Sequence, residues 1–168
     1  MRRLMNNHQF DTKSDNSDLV GLETMKYGTV VSDSIIISRY AGESLEQILF
    51  NNKTVKIKAF EKATQDLAEL HRRASYLIDI KLENMTYDKN DGVNFIDLES
   101  RARQGLPTTP GMTFENTTIG LLQQFGEIYP KIIGGKEFSS QEKNSLKTYD
   151  EYALLMTIVA ATTKRRQA

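Results

Sequence analysis

Apolar and polar positions follow two different periods in the middle of the chain. Between residues 54 and 74, apolar side chains recur at steps of three and four residues, which predicts one long amphipathic helix. Its apolar positions are Phe60, Ala63, Leu67, Leu70 and Ala74. Directly afterwards, short strand-like runs at 85–87 and 93–96 enclose the Asn-, Asp- and Gly-containing segment 88–92. Because those residues readily adopt the left-handed backbone of a tight turn, this part predicts a β-hairpin.

The region before the long helix contains two strand patterns and one helix start. A run over residues 19–31, with a break near Gly28, and the β-branched run 34–38 predict short strands. The sequence Ser-Leu-Glu-Gln at 44–47 matches a capping box, in which the first side chain satisfies free N–H groups of a helix start. We therefore expect a short helix that ends at about Phe50.

Two further helices are predicted in the C-terminal third. Residues 119–133 form one helix, which ends at Gly134-Gly135. A last helix is predicted from Thr148, where Thr-Tyr-Asp-Glu is a second capping-box match, to residue 163. Its expected apolar face consists of Tyr152, Leu155, Met156 and Val159. Residues 99–118 contain two of the 3 prolines and predict a long, mobile segment.

Composition and charge exclude several classes of function. The 168 residues carry 22 Lys and Arg against 22 Asp and Glu, so the chain lacks the basic footprint that is typical of nucleic-acid binding. It contains no cysteine, and therefore no disulfide, thiolate metal site or cysteine nucleophile. The longest apolar run, residues 153–161, is too short to span a bilayer. The first residues lack the apolar stretch of a cleaved secretory signal. We expect no nucleic-acid partner and no membrane insertion.

Four residues around the predicted hairpin indicate phosphate chemistry. A hairpin brings its ends together, so Asn84, before the first strand, and Asp97, after the second, are expected to lie close in space. Asp79 and Lys81 lie on the loop that leads from the long helix into the hairpin. Phosphoryl transfer uses such a set, because oxygen ligands hold Mg²⁺, a carboxylate orients the attacking hydroxyl, and a lysine offsets the charge on the moving group.

These residues resemble the catalytic centre of the protein kinase superfamily, in which a loop of the form H-R-D-L-K-x-x-N is followed, after a hairpin, by a metal-binding D-F-G. Asp79, Lys81 and Asn84 match the D, K and N of that loop, and Asp97 follows after one short hairpin. The lysine is similar to the Ser/Thr protein-kinase form, and small-molecule kinases usually lack it. The resemblance implies that Asp79 orients the substrate hydroxyl and takes up its proton, and that Lys81 steadies the phosphoryl group. It also implies that Asn84 and Asp97 hold Mg²⁺ or Mn²⁺ together with ATP.

Other pieces of the chain resemble the same family, over residues 19–163 in all. Residues 36–45 resemble the strand, hinge and short helix between the two lobes, where hinge backbone meets adenine. The nucleotide-binding residues that the resemblance implies are Ser38, Tyr40, Gly42 and Asn84. Asp150–Leu154 resembles the opening of the central helix, whose aspartate braces the catalytic loop. Glu69-Leu70-His71 is similar to the end of the helix before that loop, and for His71 we expect only a favourable interaction with the helix dipole.

The chain departs from the family pattern at three places. Leu77-Ile78 replaces the usual His-Arg, whose arginine pairs with a phosphate on the activation segment, so we expect activity without such phosphorylation. Glu99 replaces the glycine of D-F-G and is interpreted as a solvated carboxylate, with an extra metal ligand as the alternative. No glycine-rich loop precedes residue 34, and no strand lysine can be assigned. The chain therefore resembles a fragment or a reduced family member, similar to the small kinases that bacterial pathogens inject into host cells.

The sequence thus predicts an α+β, protein-kinase-like fold, with a mostly helical C-lobe, a catalytic β-hairpin and a partial small β N-lobe. We expect a disordered polar segment over residues 1–18, a remnant of N-lobe strands and hinge over 19–40, and a truncated C-lobe over 41–163. A basic tail follows at 164–168.

The predicted activity is a Ser/Thr protein kinase that uses ATP with Mg²⁺ or Mn²⁺ on a protein substrate, which for a secreted effector is a host protein. A pseudokinase or binding scaffold, an inactive fragment, and a small-molecule phosphotransferase stay open as alternatives, although Lys81 argues against the last. We expect the protein in the cytoplasm, or secreted into a host cell without a cleaved signal peptide.

Overall fold

The computed structural model describes residues 5–6, 29–32, 35–37, 41–98, 101–111 and 116–163. The predictions for Ser38, Tyr40 and Glu99, for most of segment 1–18 and for the tail 164–168 lie outside the described residues. The four candidate residues around the hairpin all lie inside them.

A small antiparallel sheet occupies the N-terminal part. Its strands are β1 (Met5–Asn6), β2 (Thr29–Ser32) and β3 (Ile35–Ile37), in the order β1-β3-β2. β2 overlaps the predicted run 19–31 at its end, and β3 lies within the predicted run 34–38; the other residues of both runs lie outside the described part of the chain. β1 lies inside the segment 1–18 that was predicted to be disordered, and its two residues pair with β3.

A short strand and a short helix lead into the larger part of the chain. β4 (Glu43–Ser44) is followed by α1 (Leu45–Phe50). The Ser44 hydroxyl accepts a hydrogen bond from the N–H of Gln47 at 3.2 Å, so the predicted cap is confirmed. Before β4, Gly42 has a φ of +103°, and a Cβ there would lie 2.1 Å from the carbonyl oxygen of Tyr87. Only glycine fits where the chain passes so close to the hairpin.

The long helix predicted over residues 54–74 is confirmed in its centre and wrong at its ends. A 3-10 turn, Ile57–Phe60, precedes α2, Glu61–Arg72. The helix buries predicted apolar positions Ala63, Leu67 and Leu70. It ends early because Ala74 has a φ of +50°, which turns the chain into the next strand.

The predicted hairpin is confirmed. β6 (Met85–Asp88) pairs antiparallel with β7 (Gly92–Phe95), and the end residues of the two strands lie directly opposite each other. Asp88 Oδ1 accepts a hydrogen bond from the N–H of Asn90 at 2.8 Å, which stabilises the turn. β4 pairs with the other edge of β6, and α2 packs against β7. The hairpin is therefore fixed on both sides.

Segment 99–118 contains regular structure where it is described. β8 (Ala102–Arg103) pairs antiparallel with β5 (Ser75–Tyr76). Ala102 is fully buried, and Arg101 is also buried. The prediction of a long, mobile segment did not include this strand, because a strand of 2 residues is too short to produce an alternating pattern.

The last two helices agree with prediction to different degrees. α3 (Ile119–Ile133) has the predicted bounds. α4 (Ser140–Thr162) begins well before the predicted start at Thr148, which lies inside the helix. Its capping box is formed by Ser139, whose hydroxyl accepts from the N–H of Glu142 at 3.2 Å, and by Glu142, whose carboxylate accepts from the N–H of Ser139 at 2.7 Å.

The buried face of α4 differs from the predicted one. Three of the four predicted apolar positions, Leu155, Met156 and Val159, are 55%, 37% and 48% exposed. The buried residues are Leu146, Tyr149, Asp150, Ala153, Leu154, Thr157 and Ala161. Apolar residues lie all around the second half of this helix, so their period does not identify a face. The true face also contains two buried polar residues, Asp150 and Thr157, which an apolar pattern omits.

Two apolar clusters form the core. One joins α1, α2, the hairpin and α4, and the other joins β5, β8, α3 and α4. Residues 77–84, which we call the candidate catalytic loop, contribute to both. Leu77 and Ile80 belong to the first cluster, whereas Ile78 belongs to the second. The loop is therefore anchored between the two halves of the core.

The described residues form an α+β protein, as the sequence predicted, with short antiparallel sheets beside a mostly helical larger part. None of their helices combines the length and the apolar character needed to cross a membrane.

Candidate active site

The candidate catalytic loop begins with a backbone conformation that is rare for its residue type. Ile78 has a φ of +65°, in the left-handed region that β-branched residues seldom occupy. The N–H of Asp79 donates to the carbonyl of Leu77 at 2.8 Å, which closes a tight turn around Ile78. The Ile78 side chain is fully buried. A strained turn of this kind persists only where the surrounding structure holds it.

Helix α4 supplies the group that holds this turn. Asp150 Oδ2 accepts a hydrogen bond from the N–H of Leu77 at 2.8 Å, and Oδ1 accepts one from the N–H of Ile78 at 2.7 Å. Asp150 is 0% exposed, so these bonds form away from water. The brace that the family resemblance implied is confirmed, although Asp150 lies well inside α4 and not at its start.

His71 belongs to the same buried group. Its Nε2 lies 3.0 Å from Asp150 Oδ2, and its ring lies against Tyr76 with centroids 5.5 Å apart. The expectation that His71 interacts only with the helix dipole is therefore wrong. Because its partner is 79 positions away along the chain, no local pattern could have predicted the contact.

Asp79 gathers the other polar side chains of the loop. Its Oδ2 accepts a hydrogen bond from Asn84 Nδ2 at 2.8 Å and lies 3.0 Å from Lys81 Nζ. The same Asn84 nitrogen also donates to the backbone carbonyl of Asp79 at 3.0 Å. Asp79 Oδ1 is buried and has no hydrogen-bond partner among the described residues. The loop thus brings Asp79, Lys81 and Asn84 together and leaves one carboxylate oxygen without a partner there.

The hairpin brings Asp97 to the same end. The N–H of Ile96 donates to the carbonyl of Asn84 at 2.9 Å, one step beyond the paired strands. Asp97 follows directly, with a φ of +59° that Asp tolerates better than most residues. The predicted convergence of the hairpin ends is confirmed for the backbone. The roles of Asn84 and Asp97 in metal binding stay a prediction.

The donor set at this end of the hairpin suits a hard divalent cation. Asp97 offers carboxylate oxygens, and Asn84 keeps its amide oxygen because its nitrogen donates to Asp79. In the described part of the chain, no group of three or more His, Cys, Asp or Glu side chains could hold a metal by itself. Mg²⁺ usually takes only one or two protein carboxylates and completes its shell with water and phosphate oxygens. The residues therefore fit a nucleotide-bound Mg²⁺ or Mn²⁺ and not a closed protein cage.

Two buried tyrosines respond to the negative charge around the loop. Burial raises the pKa of Tyr149, and the charges of Asp150 and Asp79 raise it further, against a contact with Thr117 that lowers it. Burial and the charge of Asp150 likewise raise the pKa of Tyr76. Both phenols are therefore neutral at physiological pH.

Two residues outside the loop that support it were not predicted from the sequence: Asn116 contacts the loop directly, and Thr157 contacts Asn116. Asn116 Nδ2 donates to the carbonyl of Ile80 at 3.3 Å and to Thr157 Oγ1 at 3.2 Å. Asn116 lies in a polar segment without periodicity, so nothing distinguishes it from its neighbours. The signal for Thr157 was a hydroxyl between the apolar residues Met156 and Ile158 of α4, and its side chain is 0% exposed.

The predicted nucleotide contacts are only partly covered by the structure. Ser38 and Tyr40 lie outside the described residues. Gly42 lies against the backbone of Tyr87, and this packing accounts for its conformation. Of the two that are described, Asn84 lies in the polar cluster around Asp79. Contact of these residues with a nucleotide stays a prediction.

Comparison with known proteins gives little further information. No protein-family model matches the chain, and no curated protein matches it. Among solved structures, the kinase PK-1 of the Cydia pomonella granulovirus is similar at a TM-score of 0.48 and 15% sequence identity, over 93% of this chain and 68% of that one. A likeness at this level carries no argument about function. The functional assignment therefore depends on the geometry of the site itself.

Proposed function

We propose that this chain is a Ser/Thr protein kinase, which transfers the γ-phosphate of ATP to a protein hydroxyl with Mg²⁺ or Mn²⁺ as cofactor. The observation that carries the proposal is the arrangement around Asp79. One of its oxygens is fixed by Asn84 and Lys81, while the other is buried without a hydrogen-bond partner among the described residues. An unsatisfied buried acceptor costs about 1–3 kcal/mol, and more when charged. Its presence favours a function for that oxygen.

The residues of the loop are suited to separate tasks. Asp79 Oδ1, which has no hydrogen-bond partner among the described residues, would accept a hydrogen bond from the substrate hydroxyl, orient it and take up its proton. Lys81 Nζ, 3.0 Å from Asp79 Oδ2, offsets the negative charge of a phosphoryl group that arrives beside this hydroxyl. Placement of these groups is most of what the reaction requires from a protein.

Asn84 and Asp97 are the residues that would hold the cation. A Mg²⁺ ion held by these two residues would supply positive charge to offset the negative charge that develops on the phosphate. Because the nitrogen of Asn84 donates to Asp79, the orientation of its amide is set in advance. Metal ligands are commonly oriented in this way, by a hydrogen bond from the ligand side chain to a neighbouring group.

The most specific part of the proposal is that the phosphoryl group is accepted by a protein hydroxyl. Lys81 stands where Ser/Thr protein kinases have a lysine and small-molecule kinases usually lack one, which favours a protein hydroxyl. The further proposal of a reduced bacterial effector that acts on a host protein depends on the family resemblance alone.

The first test is thermal unfolding with and without ATP and Mg²⁺. A ligand that binds only the folded state raises the melting temperature. At a concentration about a hundred times Kd, we expect roughly 5–10 °C for a chain of this size. Asp97→Ala should abolish most of this shift. Asp88→Ala is the matched control, since Asp88 lies at the turn end of the same hairpin, and its shift should equal that of wild type.

The outcomes of this test separate the alternatives. A shift that is equal in Asp97→Ala places any nucleotide elsewhere and contradicts the assigned site. No shift in the folded wild type contradicts a self-sufficient kinase. Transfer from labelled ATP to peptide libraries with Ser, Thr or Tyr as the single acceptor then tests the reaction. Labelling of Ser and Thr peptides supports the proposal, and labelling of small molecules alone contradicts it.

One observation favours a second candidate, a binding scaffold that shares this fold. Leu155, Met156 and Val159 leave an exposed apolar stripe on α4, and such patches often mark interaction surfaces. A scaffold does not need the polar cluster around Asp79, however. A wild type that binds no nucleotide but loses a partner on Met156→Lys would favour the scaffold.

A further inference from the structure

We infer that Asn116 is a positioning residue, which fastens the backbone between Asp79 and Lys81 to helix α4. The inference rests on the proposed function. Asn116 Nδ2 donates to the carbonyl of Ile80 at 3.3 Å, and Ile80 is the residue that separates the two candidate catalytic side chains. The same nitrogen donates to Thr157 Oγ1 at 3.2 Å. One side chain therefore contacts both the candidate catalytic loop and the helix that braces it.

The chemistry of the contact requires an amide. The hydroxyl of Thr157 donates its own hydrogen to the carbonyl of Ala153 at 2.9 Å, so its oxygen faces Asn116 as an acceptor. The carbonyl of Ile80 is also an acceptor. A bridge between two acceptors needs a group with two N–H bonds, which the asparagine amide provides and a carboxylate cannot. Aspartate at position 116 would place negative charge against both acceptors.

The contact lies on the side of the loop that the Asp150 brace does not reach. Asp150 holds the N–H groups of Leu77 and Ile78, at the start of the loop, whereas Asn116 holds the carbonyl of Ile80. The two sets of bonds enclose Asp79 along the chain. The bonds from Asn84 fix the side chain and the backbone carbonyl of Asp79, whereas the next carbonyl along the chain, that of Ile80, is held by Asn116.

Position 116 also connects the loop with the segment that precedes α3. The next residue, Thr117, contacts Tyr149, whose pKa also responds to the charge of Asp79. Loss of the Asn116 contact should thus misplace Asp79 and Lys81 relative to the acceptor. The cation-binding residues Asn84 and Asp97 should be affected much less.

The test compares Asn116→Asp and Asn116→Ala with Asn144→Asp, which makes the same chemical change at an exposed position of α4. We expect Asn116→Asp to lower kcat for a peptide acceptor by roughly tenfold to a hundredfold, since a displacement of about 1 Å costs that much. KM for ATP and the melting shift with ATP and Mg²⁺ should stay within about twofold of wild type. Thr157→Val should lower kcat less, and its effect should not add to that of Asn116→Ala. Asn144→Asp should match wild type.

A second measurement keeps the inference independent of activity. Amide hydrogen exchange should be faster in peptides covering residues 79–82 of Asn116→Asp, and unchanged in Asn144→Asp. Unaltered exchange and unaltered kcat in Asn116→Asp would overturn the inference. A loss of kcat together with an equal loss of the nucleotide shift would also overturn it, because it indicates general unfolding. A wild type without transfer activity overturns the proposed function and the catalytic part of the inference, whereas the exchange result decides the contact itself.

Discussion

Two aspartates, Asp79 on the candidate catalytic loop and Asp150 on α4, use their carboxylate oxygens in opposite ways. Asp150 is completely buried, and its oxygens contact Leu77 N–H, Ile78 N–H and the ring of His71. Asp79 uses one oxygen for Asn84 and Lys81 and leaves the other without a hydrogen-bond partner among the described residues. The two carboxylates belong to one connected group, yet only one of them is saturated.

Under the proposed function, this difference separates a carboxylate that holds the loop, Asp150, from one that reacts, Asp79. A saturated buried carboxylate stabilises the fold, and it has no capacity left for a substrate. A carboxylate with one unpaired oxygen lowers stability and remains able to accept a proton or a hydrogen bond. The strained turn at Ile78 explains why both are needed, since the geometry at Asp79 persists only while Asp150 holds the preceding peptide groups.

The largest effect is expected for Asp79→Asn. The amide cannot take up the proton of the acceptor hydroxyl, so phosphotransfer should fall by about 10²–10⁴-fold. The free energy of unfolding should change by less than about 1 kcal/mol, because the remaining oxygen still accepts from Asn84 and Lys81. Kinetics with a peptide acceptor and denaturant unfolding measure the two quantities. A variant that keeps its activity, or that unfolds while losing it, would remove the distinction between the two aspartates.

The opposite result is expected for Asp150→Asn. The amide nitrogen replaces one acceptor and faces a backbone N–H, so a buried donor loses its partner and the variant should unfold about 3 kcal/mol more easily. Glu151→Gln is the control, since Glu151 is the next residue, 55% exposed at its side chain and 3.7 Å from Lys147. It should change stability by less than about 0.5 kcal/mol. Equal effects at positions 150 and 151 would show that the brace does not stabilise the fold.

The two aspartates also show which features of the site can be predicted from the sequence. Asp79, Lys81 and Asn84 lie within six positions of one another, and the hairpin that brings Asp97 to them follows from local turn chemistry, so their neighbourhood was predictable. The fold class and the positions of α1, α3 and the hairpin were predictable for the same reason. These features depend on residues that are near one another in the chain.

The features that the sequence did not predict depend on contacts between residues that are distant in the chain. His71 meets Asp150 across 79 positions, and Asn116 meets Ile80 across 36. No period along the chain records such pairs. The start of α4 was misjudged because Thr148 imitates a cap that Ser139 in fact forms. Its buried face was misjudged because that face is partly polar. Sequence therefore predicted the polar cluster around Asp79 better than the contacts that support it.

A smaller effect on stability is expected for His71→Phe. The phenyl ring keeps the contact with Tyr76 but leaves Asp150 Oδ2 with one partner fewer, so unfolding should become about 1–2 kcal/mol easier. Arg72→Ala is the control, because Arg72 is 74% exposed and pairs with Glu69 at the surface, where such pairs contribute little. In combination with Asp150→Asn, the effect of His71→Phe should shrink. Simple additivity of the two would argue against a shared network.

The smallest effect concerns a saturated carboxylate at the surface, Glu142. The hydrogen bond from Lys131 and the one from the backbone of Ser139 lower the pKa of Glu142 below its usual 4.5. Because the folded-state pKa is the lower one, this contribution to stability is complete above pH 4.5. It is lost as the pH falls through the folded-state value.

Glu142→Gln should therefore be less stable than wild type at pH 7, by on the order of 0.5 kcal/mol. The two proteins should converge in denaturant unfolding as the pH falls below 4.5. Lys143→Gln, at the adjacent position, should leave this acid dependence unchanged. A pH profile of Glu142→Gln parallel to that of wild type would show that Lys131 and Ser139 do not act on this carboxylate. If the two stabilities converge at low pH but differ only slightly at pH 7, a carboxylate with all its hydrogen bonds stabilises the fold strongly only when it is also buried, as Asp150 is.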